Sequence, residues 1–169
     1  MSDYRRVYIQ GGTCFFTLVT DQRKPFFNNP PIVKRLRDEF EYTRKKLPFS
    51  LKAIVILPDH LHCIWDMPGD DGDYSKRWSM IKGHVTKGAK RELNDEIIWQ
   101  PRYWEHLIRN EDDLNRHLDY IHYNPVKHGY VSLPQEWKNS SIHKFIAKGW
   151  YPDNWGRDAP VSLDGMDFE

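Results

Sequence analysis

The sequence predicts an α+β fold in which helices pack on an antiparallel sheet. Short runs rich in aromatic and β-branched residues alternate with longer segments whose apolar residues recur every three or four positions. The chain has 169 residues, of which 39% are hydrophobic and 29% charged, so it fits one globular domain better than a disordered polymer or a membrane protein. Its longest purely aliphatic run, residues 53–57, is far shorter than the roughly 20 residues of a membrane helix.

The first half of the chain contains three predicted strands and one helix. Residues 13–20 are aromatic and β-branched and follow a Gly-Gly pair, which is typical of a first strand. Apolar residues then recur with helical spacing from Val33 to Leu47, and Pro48 ends that helix. Residues 51–57 and 60–67 form two further strands, joined as a hairpin by the turn at Pro58 and Asp59.

The second half adds two helices and one strand. A helix with an apolar stripe extends from Ser75 to about Leu93, and residues 99–108 contain the fourth strand. Asn110, followed by three acidic residues, marks the start of the last helix, which Pro125 stops near Asn124. The β-α-β-β-α-β order is the ferredoxin-like layout, with two helices on one face of the sheet and the other face free. The C-terminal helix, which carries tyrosine, and an irregular tail are additions to it.

Charge is unevenly distributed along the chain. The formal net charge is +1, but residues 150–169 hold five acids and one base, which leaves 24 bases and 19 acids in residues 1–149. We therefore expect a single domain over residues 1–149 and an acidic C-terminal tail over residues 150–169. A basic body rich in aromatic rings suits a nucleic-acid binder, whereas a charge run on its own is usually a solvated face. The tail could cover the basic groove or simply keep the protein soluble.

Cysteine usage and the start of the chain indicate the cell compartment. Cys14 and Cys63 are too few for a disulfide framework and lie outside any CxxC pair, so we expect two buried thiols. The charged N-terminus is unlike a signal sequence. These features predict a cytoplasmic protein, and the expected nucleic-acid binding places it at the nucleoid.

A histidine pair lies on the third predicted strand. Because side chains alternate along a strand, His60 and His62 face one way, while Leu61, Cys63 and Trp65 face the other. If the apolar set packs under the helices, both imidazoles project from the open face with Cα atoms about 7 Å apart. Two neutral imidazoles at that spacing can chelate a divalent ion, with a third ligand still required. The alternative is an exposed pair on a half-buried strand.

The last helix carries a phenol and an amide on one face. At about 100° per residue, Tyr120 and Asn124 lie about 40° apart and one turn from each other, whereas Tyr123 is about 100° from Asn124. Tyr120 is therefore the better placed phenol. Asn124 could instead cap the helix, and Tyr120 could be an amphipathic rim residue. The combination with the strand histidines favours chemistry.

Two segments resemble a known family. Residues 55–65 resemble the metal-binding His-hydrophobic-His segment of the HUH single-tyrosine transposases, and residues 119–129 resemble their tyrosine helix. The opening Tyr4-Arg5-Arg6 with Gly11-Gly12-Thr13, the stretch from Trp99 to His106 and the extension beyond the helix narrow the resemblance to the REP-associated tyrosine transposases.

That resemblance implies a ferredoxin-like fold and a metal-dependent endonuclease and strand transferase acting on single-stranded DNA with repetitive extragenic palindromes, which form hairpins. Tyr120 would be the nucleophile that forms a 5′-phosphotyrosine, and His60, His62 and Asn124 would bind Mg²⁺ or Mn²⁺. Many relatives outside this subgroup carry Gln where Asn124 stands. His117 could help to deprotonate the phenol or could be an exposed, solvated histidine. A monomer is favoured, with a homodimer as the alternative.

DNA contacts are predicted from basic and aromatic residues. Rings could stack on bases or pack in the core, and Trp78 lies on the apolar stripe. The candidate phosphate contacts are Arg5, Arg6, Arg77, Lys82, Lys87, Lys90, Arg91, Arg102 and Arg109, and the candidate stacking residues are Tyr4, Trp78, Trp99 and Trp104.

Two other functions stay open at this point. One is a binder of hairpin DNA that performs no chemistry. The other is a small zinc hydrolase, in which Glu105 or His106 would join His60 and His62 as a metal ligand.

Overall fold

A computed structural model of the chain describes Arg6, residues 8–94 and residues 98–169. The helices and strands in these ranges are β1 (Thr13–Val19), α1 (Pro30–Lys46), β2 (Ser50–Ile56), β3 (His60–Asp66), α2 (Tyr74–Leu93), β4 (Trp104–Leu107), α3 (Glu111–Lys127) and α4 (Ile142–Ala147). Among the described residues, none of the helices combines the length and the apolar character that a membrane crossing requires.

The four strands form one sheet in the order β2-β3-β1-β4, and every neighbouring pair is antiparallel. This topology confirms the predicted ferredoxin-like layout. The hairpin between β2 and β3 turns at Pro58 and Asp59 as expected, and the Leu57 N–H donates to the His60 carbonyl across it. The fourth strand is shorter than its predicted range, and Trp99 meets Thr20 only as an isolated bridge.

The face of the sheet under α1 and α2 is an aromatic core. Phe16 and Trp65 project from the strands and meet Trp78 of α2, and the two indoles stack with ring centres 4.2 Å apart. All three side chains are fully buried. Burying rings of this size contributes a large share of the hydrophobic stabilisation of a small domain.

The opposite face is covered, so the expectation of a free face is wrong. Helix α3 packs across it, and Ile121 lies among Phe15, Val55 and Ile64 of the strands. The physical reason is that β1 and β2 carry apolar residues on this face as well, which need cover from water. The cover places α3 directly above the strand that carries the histidine pair.

Helix α3 begins as predicted and ends later. The Asn110 side chain accepts the Asp113 N–H at 2.8 Å, which makes it the N-cap. Pro125 lies inside the helix, because its missing N–H removes only one hydrogen bond of the last turn. The helix reaches Lys127, and Gly129 then adopts a left-handed φ of 73°.

Residues 150–169 pack along α3. The Tyr151 and Ser162 hydroxyls donate to the two carboxylate oxygens of Asp119 at 2.8 and 2.7 Å. Trp155 stacks on Tyr151 with ring centres 4.2 Å apart. These contacts bring the last residues of the segment back to the end of α3.

Candidate functional site

The histidine pair is buried beneath α3. His60 is 1% exposed and His62 is not exposed at all, so the expectation that both project into solvent is wrong. The His62 Nδ1 lies 2.7 Å from the Thr17 hydroxyl on the neighbouring strand, and the His60 Nδ1 lies 2.7 Å from an Asp59 carboxylate oxygen. With both Nδ1 atoms engaged, the Nε2 atoms are the ring nitrogens left to bind a metal ion.

Helix α3 brings Tyr120 and Asn124 to these imidazoles. The Tyr120 ring lies 5.2 Å from the His62 ring, and the side chains of Tyr120 and Asn124 are both buried. Tyr123 is directed elsewhere, toward Trp155 of the C-terminal segment. The two histidines, the phenol and the amide therefore converge within one chain.

The site contains a carboxylate that sequence reasoning did not place there. The Tyr120 hydroxyl and the Asn124 amide each donate to Glu169 Oε1 at 2.9 Å. The same oxygen lies 3.7 Å from His60 Nε2 and 3.5 Å from His62 Nε2. The acidic composition of residues 150–169 was the available signal, but composition does not say where an irregular segment packs.

Two more residues at the end of α3 reach this carboxylate and were also missed. Lys127 Nζ lies 3.4 Å from Glu169 Oε1, and His128 Nε2 lies 2.7 Å from Oε2. Both lie beyond the point where the helix was expected to end. Because α3 continues past Pro125, Lys127 falls on the same face as Tyr120, two turns along.

The donor atoms fit a divalent metal ion. His60 Nε2, His62 Nε2 and Asn124 Oδ1 are buried without a hydrogen-bond partner among the described residues, which is costly unless another ligand completes them. Burial lowers the pKa of His62 to about 4, so its imidazole is neutral near pH 7, as a metal ligand must be. A Glu169 oxygen could join the two histidines as a ligand.

Burial and the neighbouring charges set the protonation of the phenol. Burial raises the pKa of Tyr120 to about 12, and the Glu169 carboxylate acts in the same direction. The Phe168 N–H and the Lys127 ammonium oppose that shift. Tyr120 is therefore a protonated phenol near neutral pH.

The protonation of Glu169 follows from the same neighbours. Burial favours its neutral form, but the imidazoles and the Asn124 amide around it lower its pKa well below the usual range. Glu169 is therefore a carboxylate near neutral pH, and its negative charge lies next to the Tyr120 hydroxyl.

His117 is neither exposed nor bonded to the phenol. It is buried, and its Nδ1 lies 2.7 Å from the Asp113 carbonyl. His106 contacts the side chain of the same residue, with its Nε2 2.8 Å from Asp113 Oδ2. Neither predicted role of His117 is supported by these contacts.

The zinc-hydrolase arrangement is not formed. His106 bonds to Asp113 and Glu105 pairs with Arg6 at 2.7 Å, so neither joins the group that contains His60 and His62.

The predicted DNA contacts divide into available and unavailable side chains. Tyr4 and Arg5 lie outside the described residues. Arg77 is buried, pairs with an Asp71 carboxylate at 2.9 Å and donates to backbone carbonyls, so it holds the fold together and is not free for a phosphate. Trp99 packs on Phe27 in the core, which leaves no room for a stacked base.

Three further candidates, Arg6, Lys82 and Arg102, lie around the partly buried Tyr103. The Arg6 guanidinium lies 3.9 Å from the Tyr103 ring centre, and Lys82 Nζ lies 5.7 Å from it. Arg102 is exposed next to them. Trp78, in contrast, is fully buried in the aromatic core.

Known proteins resemble this chain over most of its length. Residues 12–124 match the family described as Transposase IS200 like. A REP-associated tyrosine transposase of Escherichia coli is 44% identical over 158 residues, covering 94% of this chain and 93% of that protein. A protein of Haemophilus influenzae is 38% identical over 176 residues, covering 98% and 99%. The solved structure of a REP-associated tyrosine transposase bound to a REP hairpin is 42% identical, covers 95% of this chain and 94% of its own, and superposes with a TM-score of 0.84.

Proposed function

The chain belongs to the IS200-like transposases and, among them, to the REP-associated tyrosine transposases, and from that premise we propose that it cleaves and rejoins single-stranded DNA next to a hairpin. The observation that supports this proposal most directly is the convergence of Tyr120 and Asn124 with two buried imidazoles whose Nε2 atoms have no hydrogen-bond partner in the part of the chain that the structure describes. The relative solved with a REP hairpin supports hairpin DNA as the substrate.

Tyr120 is the proposed nucleophile. Its phenol oxygen attacks the scissile phosphorus and loses its proton, an O–P bond to tyrosine forms, and the bond from phosphorus to the 3′ oxygen breaks. The departing 3′ oxygen takes up a proton, which leaves a 5′-phosphotyrosine and a free 3′-hydroxyl. Attack by another 3′-hydroxyl reverses the step and rejoins DNA, because the covalent link conserves the phosphodiester bond energy.

His60, His62 and Asn124 are the proposed ligands of Mg²⁺ or Mn²⁺. When bound, the ion supplies polarisation of a non-bridging phosphate oxygen. Asp59 and Thr17 hold the two imidazoles so that the Nε2 atoms face the phenol. The Asn124 amide group donates to Glu169, which leaves its Oδ1 as the atom available to a cation.

We further propose that residues 150–169 form an acidic tail distinct from a catalytic domain over residues 1–149, and that the tail covers the site until DNA displaces it. Glu169 accepts a hydrogen bond from the Tyr120 hydroxyl, and the Phe168 N–H donates to the same hydroxyl at 3.2 Å. A scissile phosphate must replace these contacts to reach the phenol.

The proposal is tested by trapping the covalent intermediate. Incubation with Mn²⁺ and a DNA hairpin that carries single-stranded flanks should give a protein–DNA adduct that survives denaturing electrophoresis. Tyr120→Phe should give none, whereas Tyr123→Phe, the neighbouring phenol on the same helix, should retain it. Adduct at full yield in Tyr120→Phe would refute the nucleophile, and tight hairpin binding without any cleavage would favour a non-catalytic binder.

A further inference from the structure

We infer that Lys127 and His128, at the C-terminal end of α3, bind the scissile phosphate next to Tyr120. The inference rests on the proposed function, since it names the part of the DNA that these two residues contact. Neither residue belongs to the metal-ligand set proposed above.

An internal anion already lies at this position. Glu169 Oε1 accepts hydrogen bonds from Tyr120 and Asn124, and Lys127 Nζ lies 3.4 Å from it. Oε2 lies 2.7 Å from His128 Nε2. A carboxylate and a phosphodiester each present two oxygens that share one negative charge, so side chains arranged around the first can hold the second.

Lys127 contacts the attacking oxygen as well as the anion. Its Nζ lies 3.3 Å from the Tyr120 hydroxyl oxygen and 5.1 Å from the centre of that ring. In the attack, negative charge develops between the phenol oxygen and the phosphoryl oxygens. A cation within reach of both stabilises that charge more than it stabilises the separate reactants.

The position of His128 is fixed by a row of stacked rings. Its imidazole stacks on Tyr130, with ring centres 5.8 Å apart, and Tyr130 stacks on Trp137 at 5.4 Å. The His60 ring lies 5.1 Å from the His128 ring. The imidazole is therefore held with Nε2 directed into the site before any DNA arrives.

One other role of Lys127 must be separated from this one. Its Nζ also lies 3.2 Å from Asp167, so the lysine could serve only to hold residues 150–169 in place. The two roles predict opposite effects: loss of a phosphate contact slows the reaction, whereas loss of a tether opens the site and speeds it up.

The first experiment measures the phosphate contact without cleavage. Tyr120→Phe/Glu169→Ala protein, which lacks the nucleophile and the competing carboxylate, is titrated with a flanked DNA hairpin in which one flank linkage at a time is an uncharged methylphosphonate. At one linkage, neutralisation should weaken binding about tenfold, because a charge-assisted contact is lost. Adding Lys127→Met or His128→Gln should reduce that difference to about twofold or less, and Lys127→Arg should preserve it. The absence of coupling at every linkage would overturn the inference.

The second experiment uses the full reaction. Single-turnover adduct formation should fall at least about tenfold in Lys127→Met, while Mn²⁺ affinity measured without DNA stays within about twofold. Asp167→Ala, which removes the other carboxylate on Lys127, is the matched control and should react no more slowly than wild type. A Lys127→Met protein as fast as wild type overturns the inference. A wild-type protein that forms no adduct would count against the proposed function, while the binding experiment would still decide the inference.

Discussion

The two faces of the sheet are equally buried, but one of them gathers polar side chains and the other gathers aromatic rings. On β3, His62 and Cys63 are neighbours in the chain and both are 0% exposed, yet one lies under α3 and the other under α1 and α2. The first face brings ring nitrogens, a phenol and an amide together, and the second stacks indoles and phenyl rings. Burial alone therefore does not distinguish a functional site from a core.

The unpartnered atoms on the two faces differ in kind. The indole N–H groups of Trp65 and Trp78 have no hydrogen-bond partner within residues 8–94 and 98–169 or at Arg6, and these groups are donors, which cannot hold a cation. Among the described residues, the unpartnered atoms under α3 include His60 Nε2 and His62 Nε2, ring nitrogens that offer a lone pair to a metal ion when the ring proton is on Nδ1. Desolvated acceptors destabilise the fold, and their concentration at one point indicates a ligand that completes them.

The strongest test of this contrast compares two single alanine substitutions at adjacent residues of β3. His62→Ala should lower adduct formation by at least about a thousandfold, because removal of one proposed ligand abolishes metal-assisted transfer. Cys63→Ala should cost only about 1–2 kcal/mol of unfolding free energy and leave Mn²⁺ affinity unchanged. Denaturing gels, metal titration and urea unfolding measure the three quantities. Equal losses of activity in both variants would mean that the faces do not differ in function.

The aromatic core under α1 and α2 should contribute most of the free energy of unfolding. Trp78→Ala should lower the unfolding free energy by about 3–5 kcal/mol, because it leaves a large cavity against Trp65 and Phe40. Trp104→Ala is the control, since that indole is 49% exposed on β4 and its loss should cost less than about 0.5 kcal/mol. Similar midpoints in urea for the two variants would contradict the assignment of the core.

Pattern and turn chemistry were sufficient to predict the sheet, the hairpin and helices α1, α2 and α3, because each follows from local periodicity, whereas the short α4 was not predicted. The prediction that one face of the sheet is free was wrong for a tertiary reason. The alternation of side chains on β3 was assigned correctly, but Phe15 and Val55 on the neighbouring strands add apolar surface to the same face. That surface must be covered, and the need for cover appears only when the strands are considered together. The later end of α3 shows that proline removes one hydrogen bond without ending a helix whose last turn is held by packing.

The site was predictable to the extent that its residues lie on regular elements. Helical spacing placed Tyr120 and Asn124 together, and strand alternation placed His60 with His62. Glu169 could not be found in this way, because it arrives from an irregular segment whose path depends on contacts with Asp119 and Phe15. Arg77 failed as a DNA contact for a related reason, since an arginine on a helix can be buried by carbonyl groups that the sequence does not locate.

A smaller effect should come from Thr17, which lies beneath His62. Thr17→Val preserves shape but removes the hydroxyl that holds Nδ1, so Mn²⁺ affinity should fall about tenfold with little change in stability. Thr13→Val, at the other end of β1, removes a hydroxyl bond to Asp66 and is the matched control. Calorimetric titration of both variants measures the difference. Unchanged affinity in Thr17→Val would show that packing alone orients the imidazole.

The smallest predicted effect concerns the Glu169 carboxylate, which occupies the site under α3. Glu169→Gln keeps the shape of the side chain but removes the charge that faces Lys127, so the segment should leave the site more easily and adduct formation should rise about threefold to fivefold. The gain is limited because Phe168 still packs on Phe15 and Tyr120. Asp164→Asn changes an exposed carboxylate of the same segment and should leave the rate unchanged. A slower Glu169→Gln protein with weaker Mn²⁺ binding would instead make this carboxylate a metal ligand. The site under α3 would then have four protein ligands, one of which comes from the C-terminal segment.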